Sequence, residues 1–214
     1  MEWEAAPGGM HHAAGGRFLD WWFNPWLLAR GGQAGEAGGA GGPLSVRLAY
    51  RRWCFENGVR PDFPTACDGA WQQFAVCDAD VLGGAALAYG ALLAAREGRH
   101  AVLAGLSPGQ RRWSLGTAAI QPLSRLCLPG GSLQADGLRE LACAMEAGFP
   151  GLWDRLRLLL PNEAADDAGA AVTEFVLQGQ APGDAAGAAA RRRLRCWGLC
   201  LARAESLDLR EEYA

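Results

Sequence analysis

The sequence predicts a mainly α protein, a compact irregular helical domain of about seven to eight helices with little or no β-structure. Three observations predict it. Apolar residues recur at three-and-four spacing along most of the chain after residue 43, residues that start and stop helices punctuate those runs, and no sustained strand alternation appears. A chain of 214 residues, half hydrophobic and one-fifth charged, suits a single packed core. The expected division is a flexible tail over 1–16 and one helical domain over 17–210 with a Gly-rich loop at 31–42.

Residues 1–16 are rich in Gly and Ala and show no period, hence the tail. Phe18 to Leu28 carries Trp21, Trp22 and Trp26 with Phe18 and Phe23, and that much apolar area must dock on something. Residues 31–42 have no large side chains to repay the entropy of ordering them, so a loop is expected. After Pro43, the set Val46, Ala49, Tyr50, Trp53 and Cys54 predicts a helix, which Asn57-Gly58 stops. Arg60-Pro61-Asp62-Phe63-Pro64 must be extended or turning, and a short helical stretch follows over 66–76. From Asp78, residues Leu82, Ala85, Tyr89, Leu92, Leu93 and Arg96 share one face of a helix expected to be central, with Asp78 or Asp80 as cap and Gly98 as stop. Gly83, Gly84 and Gly90 each cost roughly 1 kcal/mol there, which close approach of another helix would offset.

His100 to Leu103 is expected to contribute a short extended piece. Ser107-Pro108-Gly109-Gln110 is a capping box with proline at the first helical position; it starts a helix that carries Arg111, Arg112 and Trp113 and ends before Pro122. Leu133 to Gly148 is the best-patterned segment. Leu138, Leu141, Ala142, Met145 and Phe149 lie opposite Gln134, Arg139 and Glu140, with Gly148 and Pro150 as stop. Leu152, Trp153, Leu156, Leu159 and Leu160 form the next stripe, closed by Pro161. Residues 164–178 form a weaker helix. The last starts near Asp184, with Leu194, Trp197, Leu201 and Ala204 on one face and Arg191, Arg192, Arg193 and Arg195 clustered at its middle.

A net charge of −3 provides no global field for nucleic acid or an anionic membrane, and neither partner is expected. Seven scattered Cys without a C-x-x-C pair suggest reduced thiols and a cytoplasmic setting. The acidic start Met1-Glu2-Trp3-Glu4 lacks the positive region of a secretory signal. Val81 to Ala95, the longest nearly apolar run, is short of the ~20 residues that span a bilayer, so no direct membrane insertion is expected.

No catalytic, cofactor-binding or metal site is expected. His11-His12 lack a third ligand nearby, and Cys196 with Cys200 lack a second pair, so buried structural thiols are the simpler account. A nucleophilic Cys needs a base, and His100, the one His beyond the tail, has no acidic neighbour in sequence. Walker, G-x-S-x-G and dinucleotide motifs are absent. Asp166-Asp167 reads as solvated surface in an Ala-rich loop. The Arg clusters beside Trp (Arg51-Arg52, Arg111-Arg112 and Arg191 to Arg195) read first as plain solvated helix faces, next as protein-binding hot spots, and last as nucleic-acid contacts, against which the acidic chain argues. Two alternatives therefore stand beside a binding protein: a helical nucleic-acid-binding regulator and a thiol-dependent enzyme.

Several of these features fall in a recognisable order. Phe23-Asn24-Pro25-Trp26-Leu27-Leu28 comes first, then the apolar helix of 81–96 and the Arg-Arg-Trp helix. Gly137-Leu138 through Phe149-Pro150 follows, and then Trp153 with Arg155-Leu156-Arg157-Leu158-Leu159-Leu160-Pro161. Over residues 18–161 this order resembles the SctK family, the sorting-platform adaptors of bacterial type III secretion systems. The resemblance implies a mostly helical, non-enzymatic adaptor for protein secretion. It would link the cytoplasmic domain of an inner-membrane ring protein to the pod (C-ring-like) protein, peripheral to the base of the secretion apparatus. It transfers no invariant residues. The interface candidates are chosen on chemistry: Trp21, Trp22, Arg111, Arg112, Trp113, Arg191 and Arg192.

Overall fold

The computed structural model describes residues 15–28, 43–76, 78–179 and 187–211, and among them are eight α-helices, short 3-10 turns and no strand. Most of the expected tail, the Gly-rich loop at 31–42, His11-His12 and Cys77 lie outside the described residues. The helices are α1 (Gly16–Phe23), α2 (Pro43–Glu56), α3 (Ala79–Arg96), α4 (Pro108–Ile120), α5 (Leu133–Gly148), α6 (Leu152–Leu156), α7 (Asn162–Leu177) and α8 (Ala188–Glu211). None is long and apolar enough to cross a membrane.

The punctuation residues act as their chemistry requires. Asp78 accepts from the Val81 amide at 2.8 Å and starts α3, and the Ser107–Gln110 capping box starts α4. Gly58, at φ 61°, lets the Val59 amide reach back to the Cys54 carbonyl at 2.8 Å and closes α2.

Helix α3 is the centre of the molecule, with α4, α5 and α8 packed around it, so its buried residues extend beyond one face to Val81, Ala86, Ala91 and Ala94. Such contact needs small residues. A Cβ on Gly90 would fall on the Leu133 carbonyl oxygen, and one on Gly137 would fall on the Ala86 carbonyl, so α3 and α5 meet backbone to backbone. On the α8 side, Trp197 stacks on Tyr89 with ring centroids 3.9 Å apart. Helix α7 covers α5 through Ala171 and Phe175, which pack on Cys143.

Several expectations are corrected. His100 to Leu103 is a turn leading into a 3-10 segment (Val102–Gly105), because the Val102, Leu103 and Ala104 amides bond three residues back. The short helical stretch expected over 66–76 is a 3-10 helix confined to Gly69–Val76. Asp166 and Asp167 lie inside α7, and Asp167 pairs with Arg139 at 3.0 Å. Helix α5 does end at Gly148, as expected; that glycine also makes room for Trp71, and Gly151, ahead of α6, supplies the positive φ (86°). Glu140, expected on the polar side of α5, is fully buried. Its carboxylate accepts from the Leu126 and Cys127 amides at 2.9 and 3.2 Å and fastens the 121–131 segment to α5.

Candidate protein-interaction surface

Phe18 and Trp22 of α1 bury their rings against Phe63 and Phe149, which satisfies part of the apolar demand of the N-terminal aromatic run internally, while Phe23 and Leu27 stay exposed. Trp22 is therefore not the exposed contact residue expected; it is 0% exposed. Its partner is Arg155, whose guanidinium carbon lies 3.4 Å from the centre of the indole ring. The same guanidinium donates to the Trp22 carbonyl (3.1 Å), the Gly151 carbonyl (3.0 Å), the Tyr50 hydroxyl (2.9 Å) and the Arg60 carbonyl (3.0 Å). One side chain thus joins α1, α2, the 57–64 connection and α6. Burial lowers the pKa of Arg155, against the opposing influence of Tyr50. Burial likewise pushes the Tyr50 hydroxyl up to about 12, with Arg155 pulling it back.

Next to this node, Arg60 bridges Glu146 and Asp154, at 2.5 and 2.7 Å. A second polar knot has the buried Asp136 carboxylate between Arg99 and Arg125, with Arg125 also paired to Glu97. Both knots tie loops to helices, and their charges are paired.

The remaining interface candidates sit on separate helices. Trp21 of α1 is half-buried and stacks on Phe18. On α4, Arg111 is exposed yet donates to the carbonyls of Leu103 and Ala104, while Arg112 is exposed. Trp113 is half-buried and lines a groove of about 50 Å³ with Leu87, Ala88, Leu106 and Arg203. That is far below the several hundred Å³ of a cofactor pocket. On α8, Arg191 is exposed and Arg192 half-buried, three turns from Arg203. Cys196 and Cys200 are buried, and burial raises both thiols, the opposite of what activates a nucleophile. Burial also raises Cys54 and Cys67. Among the described residues no cluster of three or more His, Cys, Asp or Glu side chains could hold a metal.

Sequence reasoning missed the strongest exposed apolar feature, which lies on α2. Tyr50 and Trp53 turn inward and meet Phe23 and Trp26 edge to face. The opposite side presents Leu44 (74% exposed), Leu48 (69%) and Phe55 (87%). These recur at i, i+4 and i+11, a spacing that puts them on one stripe, and that period was the signal available in the sequence.

No family model, curated protein or solved structure matches the chain. The described residues offer exposed apolar and Arg-bearing helix faces over a tightly bonded core.

Proposed function

We propose that the chain is a non-enzymatic adaptor of a type III secretion sorting platform, linking the cytoplasmic domain of an inner-membrane ring protein to the pod protein. The observation that carries this reading is the Arg155 node. Arg155 opens the Arg-Leu-Arg-Leu-Leu-Leu-Pro segment, and its guanidinium covers Trp22, the residue before Phe23-Asn24-Pro25-Trp26-Leu27-Leu28. The two segments most similar to the SctK family are thus neighbours in space although 133 residues separate Trp22 from Arg155. The exposed apolar stripe of α2 and the exposed Arg111, Arg112 and Arg191 add surface of the kind a bridging subunit needs.

The test is affinity capture of the full chain in the presence of a pod protein and the cytoplasmic ring domain. Retention of both, at roughly fixed proportions, supports the adaptor reading. Retention of neither overturns it, as does salt-sensitive binding to DNA or RNA with both proteins absent from the complex.

A further inference from the structure

We infer that the outer face of α2 is a two-heptad docking seam for an acidic amphipathic helix of a partner protein. Leu44, Leu48, Arg51 and Phe55 are spaced four, three and four residues apart, the alternation of the d and a positions of a coiled coil. The seam runs about 16 Å along the helix. All four side chains are exposed, and the other side of α2 is already engaged by Phe23 and Trp26. In this register Arg47 occupies the g position and Arg52 the e position, the flanks that set partner choice by charge.

Those positions select the occupant. A second copy of the chain would set Arg47 against Arg52 in a parallel pair, or each against itself in an antiparallel one, and both arrangements are repulsive. A lipid surface calls for a broad apolar face, whereas this seam is one side chain wide. A helix with apolar a and d residues and Glu or Asp on its flanks meets both the apolar stripe and the flanking Arg47 and Arg52. The existing pairs do not prevent this: Arg51–Asp62 (3.2 Å) and Arg52–Glu56 (2.7 Å) are solvent-exposed bridges that exchange at little cost. The inference rests on the chain being a protein-binding subunit and not on the secretion platform in particular.

The experiment uses the full chain and two fluorescent three-heptad peptides with Leu at a and d, one carrying Glu and one Lys at e and g. Anisotropy should show the Glu peptide binding at least about tenfold tighter than the Lys peptide, with the advantage shrinking as salt rises. Leu48→Glu and Phe55→Glu should each weaken the Glu peptide at least about tenfold with the melting temperature unchanged, since both positions are exposed. The double reversal Arg47→Glu with Arg52→Glu should transfer the preference to the Lys peptide. Equal affinity for the two peptides, or binding indifferent to Leu48→Glu, overturns the inference. So does self-association that Leu48→Glu abolishes, or partition onto phosphatidylglycerol vesicles that requires Leu48 without any peptide preference. Pod capture and peptide preference are separate readouts, so failure of one leaves the other standing.

Discussion

Arg155→Met is expected to lower stability by about 3–5 kcal/mol. Methionine fills much of the space of the arginine stem, so the cavity contribution is small and the loss is polar. Three carbonyls, of Trp22, Gly151 and Arg60, lose a charged donor, and the Tyr50 hydroxyl loses its acceptor role. Each buried carbonyl left without a partner costs about 1–3 kcal/mol, and the cation–π contact with Trp22 adds about 2 more when desolvated. Against this stands the relief of no longer burying a charge, several kcal/mol in the other direction, which brings the net to the range given. For a chain of this size the melting temperature should fall by roughly 10 °C. Urea unfolding followed by tryptophan fluorescence measures it, with an unchanged m-value showing that the comparison is sound. A variant within about 1 kcal/mol of the parent would refute the reasoning, because desolvation would then cancel the node. Arg155→Lys should fall between the two, keeping the charge but neither the planar stack nor the fork of donors.

Ala at Gly90 or Gly137 should force α3 from α5 and cost about 2–3 kcal/mol or more in denaturant titration, since each new methyl would land on a backbone carbonyl. Gly116→Ala, in α4 with open space around it, should instead stabilise by about 0.4–1 kcal/mol by the same assay. Because the folded-state pKa of Tyr50, about 12, exceeds its ordinary value near 10, its contribution is full below pH ~10 and is lost as pH rises from there to 12. Tyr50→Phe should make the fall in stability across that window shallower, leaving the part due to other buried groups such as Tyr89. Asp136→Asn removes the shared partner of two arginines at a fully buried position and should cost about 3–5 kcal/mol, read from thermal melts.

The helices were legible where a local rule decides them. Asp78, Ser107 with Gln110, and Asn57-Gly58 act through atoms within five residues, so their cap geometry is written in the sequence. The helical span of α5 follows from its own period. Burial of charged residues was not legible in the same way, because their partners come from far along the chain. Arg155 reads as a solvated arginine beside Arg157 until Trp22 and Tyr50 are brought to it across 133 and 105 residues. One clue was local: Leu152, Arg155, Leu156 and Leu159 lie on one helical stripe, so the arginine interrupts an apolar face. Glu140 had no such clue, since the amides it binds belong to a loop. Trp22 was assigned outward on composition alone, while its spacing of four from Phe18 already put both rings on one side of α1. On α2 the set Val46, Ala49, Tyr50, Trp53 and Cys54 obscures a second stripe of the same period, Leu44, Leu48 and Phe55.

Enclosure of α3 has a consequence for synthesis. Tyr89 cannot stack on Trp197 until the ribosome has delivered residues more than a hundred positions later, yet α3 is among the most apolar segments of the chain. During that interval the nascent chain carries an uncovered greasy helix, a natural client for a chaperone. A polypeptide released before residue 188 would keep that surface open and aggregate, so α8 acts as the closing piece that makes the product safe to release.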